Sequence, residues 1–192
     1  RNSYEVKFYN ENTLFHTEHV YYGDNAPMPL QNPTKEGYNF ISWNHDLQNI
    51  TQNTIVFAEF EIRSYQIKFF DFNNELLHEE TANHFTSVTP PDAPEVEGYN
   101  FIKWDTPTDN ISQNLIVRAV YEKKLYAVRF FVDGVQKGET QWIPYQEAAT
   151  PPNSQLVTKP ETQQYRFVFS GWDTPTLQIT KDTDVNANFD EI

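Results

Sequence analysis

Tyr4-Glu5-Val6-Lys7-Phe8 decides the fold, because it returns as Tyr65-Gln66-Ile67-Lys68-Phe69 and again as Tyr126-Ala127-Val128-Arg129-Phe130. The interval is 61 residues both times. Each pentapeptide alternates apolar and polar side chains with period two, the pattern of a half-buried strand. A second anchor travels with it. Glu36-Gly37-Tyr38-Asn39-Phe40-Ile41-Ser42-Trp43 recurs as Glu97-Gly98-Tyr99-Asn100-Phe101-Ile102-Lys103-Trp104, again 61 residues on. The third version, Tyr165-Arg166-Phe167-Val168-Phe169-Ser170-Gly171-Trp172, ends 68 residues further. Seven extra residues therefore belong to the third copy, and the spacing places them within 154–164. Beyond each Trp the register returns: Ile50, Ile111 and Ile179 match, as do Ala58, Ala119 and Ala187. So many fixed offsets define a tandem repeat, with copies over 1–62, 63–123 and 124–192.

Around these anchors each copy reads as four short strands. Asn10–Thr13, Phe72–Glu75 and Asp133-Gly134 are rich in turn residues, so a hairpin is expected at each, and Asp-Gly is the strongest of these signals. A Pro-rich stretch follows: Pro27, Pro29 and Pro33, then Pro90, Pro91 and Pro94, then Pro144, Pro151, Pro152 and Pro160. Proline fixes φ and removes a donor, so these stretches predict loops with at most a turn or two of helix. The Tyr-Asn-Phe-Ile-x-Trp run supplies a third strand. Because Phe40 and Trp43 are three apart, a regular strand would point them to opposite faces. A polar turn leads to a fourth strand at 54–60, 115–121 and 184–189. The joints Glu61–Ser64 and Glu122–Leu125 are four residues long and contain neither Gly nor Pro. A unit of this size without disulfide or metal is near the lower limit of independent stability. Its aromatic side chains and its neighbours must supply much of what holds it.

Composition narrows the function. The 192 residues carry a net charge of -13. That argues against phosphate-backbone binding, which needs a basic face, and against docking on an anionic membrane. No apolar run approaches the roughly 20 residues that cross a bilayer, and no signal segment opens the chain. With no Cys, disulfides, thiolate nucleophiles and thiolate zinc sites are excluded. Fifteen Phe, eleven Tyr and four Trp argue against disorder.

The sequence pattern is similar to the Listeria–Bacteroides repeat, the module of the B-repeats in listerial internalins. The similarity rests on the order Tyr-x-Val-x-Phe, polar hairpin, Pro-containing stretch, Glu-Gly-Tyr-x-Phe-x-x-Trp and a closing Ala-x-Phe or Ala-x-Tyr. It covers essentially all of Tyr4 to Phe189. It implies a small β-grasp (ubiquitin-like) fold for each copy, and tandem arrays in secreted or cell-wall-attached proteins, mostly of Gram-positive bacteria. The chain departs from the pattern at Ser42 and Lys103, where Gly usually precedes the Trp, and the third copy lacks the Glu-Gly pair. The expected fold class is β-rich α+β, built as three tandem β-grasp modules in an elongated array.

Reaction chemistry is hard to find. His16, His19, His45, His78 and His84 hold no equivalent positions in two copies. His16 and His19 are three apart on a hairpin strand, on opposite faces, so they read as solvated histidines rather than metal ligands. The carboxylates are spread over all three copies and read as a solvated coat. Asp182-Thr183-Asp184 lacks the Gly-bearing loop of a calcium site. Lys7 and Lys68 align with Arg129, which cannot form an isopeptide cross-link. No catalytic, metal or cofactor residues are expected.

Tyr4, Tyr65 and Tyr126, with Trp43, Trp104 and Trp172, read as structural anchors. Trp142 aligns with Val20 and Thr81 in an ungapped comparison, belongs to the third copy alone, and is the first choice for an exposed contact. The expected role is non-enzymatic: a spacer or stalk and adhesion module at a bacterial surface, monomeric, within a longer chain. The alternative is a module that recognises a host protein or glycan through exposed aromatics or a strand edge. A compact globule of this length would have a radius of gyration of about 16 Å, and three modules in line about 25 Å.

Overall fold

The computed structural model describes residues 2–192. The first copy contributes β1 (Ser3–Asn10), β2 (Thr13–Tyr21), β3 (Tyr38–Trp43) and β4 (Thr54–Ile62). They form one sheet in the order β2-β1-β4-β3. The central pair β1 and β4 is parallel, and both outer pairs are antiparallel. The second copy repeats this with β5 (Ser64–Phe70), β6 (Leu76–Asn83), β7 (Tyr99–Trp104) and β8 (Leu115–Lys123), ordered β6-β5-β8-β7. The third uses β9 (Leu125–Val132), β10 (Val135–Gln136), β11 (Gln141–Pro144), β12 (Phe167–Trp172) and β13 (Thr183–Glu191). Here the second strand is broken in two, and both pieces pair with β9. The Asp133-Gly134 hairpin opens it with both residues at positive φ, 51° and 76°, as a two-residue turn of this hand requires.

Two compact units divide the chain, with a boundary inside β8 between Arg118 and Ala119. One holds the first sheet together with β5, β6 and residues 115–118. Its main core packs Val6, Phe8, Val20, Leu47, Ile50 and Val56, with Tyr4 and Trp43 against it. Ile67, Phe69 and Val117 in the same unit are fully buried. The other unit holds β7, the end of β8 and the third sheet. Its core packs Val128, Phe130, Ala149, Ile179 and Val185, with Tyr126, Ile143 and Trp172 against it. In each copy the Val/Ile and Phe of the pentapeptide are buried, joined in the third by Ala127 and Val132, and period two turns Lys7, Lys68 and Arg129 to the other face. Lys7 meets Glu5 at 2.8 Å, Lys68 meets Glu79 at 3.4 Å and Arg129 meets Asp184 at 2.6 Å.

Three expectations need correction. The α part of α+β is not there: among the described residues the single helical piece is a 3-10 turn at Ser154–Leu156, capped by Asn153. The crossover from β2 to β3 and its equivalents run without α-helix, since their prolines deny the donors a helix needs. Phe40 and Trp43 do not face opposite ways. A β-bulge between Phe40 and Ser42 adds one residue, so a spacing of three returns the side chain to the same face. Their rings meet at 5.4 Å, those of Phe101 and Trp104 at 5.6 Å, and those of Phe169 and Trp172 at 5.2 Å. The bulge forms with Ser42, Lys103 or Gly171 alike. Finally, the ungapped comparison slips by one across the first hairpin. Tyr4 faces Val20 but Tyr65 faces Ala82, because the second turn is longer by one residue. Trp142 faces Ala127, as Thr81 faces Gln66 and His19 faces Glu5. Its partner position in the first copy is therefore His19, not Val20.

The turn after the Trp carries a testable charge in the third copy. Asn44 Oδ1 accepts from Phe57 N–H at 2.8 Å, and Asp173 Oδ1 accepts from Asn186 N–H at 2.8 Å. Asp173 Oδ2 also accepts from the Asn186 side-chain amide at 2.9 Å. The hydrogen bonds from Asn186 hold the Asp173 carboxyl below the ordinary aspartate value of 3.8. A carboxylate depressed by folding stabilises above its unfolded pKa, and that contribution is lost as pH falls through the folded value. Asp173→Asn should therefore lower the thermal midpoint at neutral pH. Its deficit against wild type should close as pH drops below about 3.8. A deficit that stays constant across that window would assign the effect to geometry rather than to charge.

Candidate functional site

The joints between copies carry the most specific geometry in the molecule. The strands run almost into each other: β4 ends at Ile62 and β5 starts at Ser64, while β8 ends at Lys123 and β9 starts at Leu125. A single residue remains at each joint, Arg63 or Lys124. Both are held in the same way. Arg63 N–H donates to the Gly37 carbonyl at 2.8 Å, and its own carbonyl accepts from His84 N–H at 2.8 Å. Lys124 N–H donates to the Gly98 carbonyl at 2.8 Å, and its carbonyl accepts from Tyr145 N–H at 2.9 Å.

The ring that follows lies on the glycine. A Cβ added to Gly37 would stand 2.0 Å from Cδ2 of His84, and one added to Gly98 would stand 2.2 Å from Cγ of Tyr145. Both glycines adopt positive φ, 75° and 76°, which L side chains resist. So the Glu-Gly-Tyr motif provides a bare Cα as a seat, and the next copy provides the ring. Side chains lock each joint further. Tyr65 Oη and His84 Nδ1 are 3.2 Å apart, and Arg63 Nε donates to Asn39 Oδ1 at 3.0 Å. Lys123 Nζ reaches Glu147 Oε1 at 2.8 Å, and that hydrogen bond raises the Lys123 pKa. The buried Nε2 of His84 finds no hydrogen-bond partner, whereas Tyr145 fills the second joint with a ring only 7% exposed.

Trp142 stands elsewhere, on the edge strand β11, and is 63% exposed. Opposite it is the small Ala127. Where the first two copies place Glu5 against His19 and Gln66 against Thr81, the third places an apolar pair, with exposed Leu125 two residues from Ala127 on the same face. Gln141 anchors the strand by a two-way amide bond to Thr150. The anchors Tyr4, Trp43, Tyr126 and Trp172 lie inward. Trp43 meets Phe8 edge-on at 4.9 Å, and Trp172 meets Phe130 at 5.0 Å. Tyr4 and Tyr126 pack against their cores, and Tyr65 lies in the first joint. His16 pairs with Glu18, His19 with Glu5 and His78 with Glu80.

Among the described residues no three His, Asp or Glu side chains gather as a metal site. No helix is long and apolar enough to cross a membrane. A cleft of about 520 Å³ lies under Pro94–Glu97 and is lined by Tyr99, Phe101 and Tyr121. Tyr121 Oη donates to the Pro94 carbonyl at 2.6 Å, and burial pushes its pKa up.

The joint residues escape a reading by spacing alone. His84 and Tyr145 are 61 apart, but Tyr22, the first-copy equivalent, is 62 before His84 because of the longer second hairpin. Scarcity was the available signal: two of only six glycines sit in the same motif.

A family model for the Listeria-Bacteroides repeat domain matches residues 4–59 and 65–128. A protein of Evansella cellulosilytica named "Putative Gly-rich membrane protein" is 26% identical over 192 residues, 88% of this chain and 22% of that protein. A second from the same organism, "Putative membrane protein", is 28% identical over 160 residues, 73% of this chain and 23% of that protein. The chain thus spans less than a quarter of the length of these relatives. Among solved structures, streptococcal high identity repeats in tandem (SHIRT) domains 3-4 from a cell surface protein align with a TM-score of 0.29 and 14% identity. That alignment covers 67% of this chain and 98% of the other.

Proposed function

This chain belongs to the Listeria-Bacteroides repeat domain family, and from that premise we propose that it is a non-enzymatic spacer in a secreted or cell-wall-attached bacterial surface protein. Each repeat is read as a β-grasp module. The order β2-β1-β4-β3 around a parallel central pair supports that reading, with a Pro-rich crossover where a ubiquitin-like fold carries a helix. A surface location is supported by the membrane-protein names of the relatives.

One observation carries the spacer role: two joints of one residue each, clamped by the same two backbone hydrogen bonds and closed by a ring on glycine. Joints built this way resist bending, because bending would break hydrogen bonds and lift a buried ring. Like charge on every module opposes collapse at low salt. Hydrogen exchange at the Arg63 and Lys124 amides should be as slow as in the strands they join, and exchange as fast as in the Pro-rich loops would refute the spacer.

Trp142 favours a second role, adhesion to a host protein or glycan. An indole 63% exposed on a strand edge, in one repeat only, is where such a contact would form. Trp142→Ala should shift stability by less than about 0.5 kcal/mol, read by urea unfolding. A glycan array and a panel of purified host surface proteins would test the contact. A ligand bound equally by wild type and Trp142→Ala would rule this face out.

A further inference from the structure

We propose that the face made by Asn2, Tyr4 and Tyr22 on the first repeat is a docking site for another repeat of the same kind, one carrying glycine immediately before its third strand. The proposal stands on the joint geometry and does not depend on the spacer role. Asn2 matches Arg63 and Lys124: its carbonyl accepts from Tyr22 N–H at 3.0 Å, as theirs accept from His84 and Tyr145. Tyr22 matches the seated rings. It meets Tyr4 at 6.4 Å and 53°, the values Tyr145 makes with Tyr126. The residue after each ring has positive φ: Gly23, Phe85 and Gln146. One feature differs. Tyr145 is 7% exposed beneath its glycine, whereas Tyr22 is 64% exposed. The ring is already held in the seated orientation with no glycine upon it among the described residues, so docking would carry little ordering cost.

The same geometry says which repeats qualify. Gly37 and Gly98 are occupied by His84 and Tyr145. The third repeat makes the equivalent backbone bond, Ile192 N–H to the Arg166 carbonyl at 3.0 Å, but presents an arginine where the others present a bare Cα. No repeat of this chain is therefore a free seat for Tyr22, and a second copy of this chain is not the occupant. The occupant is a glycine-bearing repeat joined ahead of Asn2, whose Gly carbonyl would take the Asn2 N–H.

The test adds a second copy of residues 64–123 directly before Asn2 of the whole chain, so that Asn2 takes the place of Lys124. Hydrogen exchange of the Asn2 amide should slow by roughly tenfold or more relative to the parent chain. In the same fusion with Gly98→Arg in the added copy, that protection should vanish while core amides of residues 4–192 stay protected. Tyr22→Ala should leave the melting midpoint of the 192-residue chain unchanged and lower that of the glycine fusion. Three results would overturn the proposal: exchange at Asn2 indifferent to glycine or arginine, an added copy left unfolded ahead of an intact Tyr22, or self-association of the 192-residue chain that Tyr22→Ala abolishes.

Discussion

Phe8→Ala should cost the first repeat about 3–5 kcal/mol, the range measured when a buried aromatic is cut to a methyl. Phe8 has no solvent exposure. It is packed between Val6, Val20, Ile50 and Val56 in one cluster and meets the edge of Trp43 at 4.9 Å. The strands around it cannot close the hole, because β1 is pinned on both sides, antiparallel to β2 and parallel to β4. A unit of about 60 residues has roughly 3–9 kcal/mol of stability in total. Losing that one ring should therefore leave the first repeat partly unfolded at room temperature. Trp43 is its reporter: its fluorescence should shift to the red and its urea transition should move to low denaturant. Phe130→Ala should do the same to Trp172, which meets Phe130 at 5.0 Å. A loss of less than about 1 kcal/mol from Phe8→Ala would mean that the aromatic cluster is not what holds the repeat.

The same residue shows what a linear sequence makes legible and what it hides. Phe8, Phe69 and Phe130 are recognisable as core from alternation alone, and all three are buried. Strand positions followed from the same period and from Pro and Asp-Gly punctuation. Which way Trp43 points did not, because a bulge adds a residue that no side-chain pattern announces, and it forms equally with Ser42, Lys103 and Gly171. The partner of Trp142 was misplaced for a related reason: one residue added in a hairpin shifts every alignment beyond it, although the total period is restored by Trp104. The joint was hidden more deeply. Its glycine and its ring lie about 47 residues apart in sequence, in different repeats, so neither copy alone contains the contact. Only a structure brings His84 onto Gly37.

Gly98→Ala should cost about 2.5–5 kcal/mol from two separable sources, and the chain contains its own control. The first source is backbone strain: Gly98 has φ of 76°, where a Cβ costs roughly 1–2 kcal/mol. Gly134 and Gly138 have the same φ of 76°, but a Cβ at either would meet nothing within 4 Å. Gly134→Ala therefore measures strain alone. The second source is the seat. At Gly98 the added methyl would lie 2.2 Å from the Tyr145 ring, so the ring must leave. Tyr145 is 7% exposed and meets Tyr99 edge-on at 5.9 Å, and re-exposing such a side chain costs about 1.5–3 kcal/mol. The excess of Gly98→Ala over Gly134→Ala in urea unfolding, followed at Trp172, is the energy of the seat. A double-mutant cycle isolates it further. With Tyr145→Ala already in place there is no ring to displace, so Gly98→Ala should then cost only what Gly134→Ala costs. If Gly98→Ala and Gly134→Ala are equally damaging in the intact chain, the ring on glycine contributes nothing. The joint would then be held by its two backbone hydrogen bonds and the Lys123–Glu147 contact.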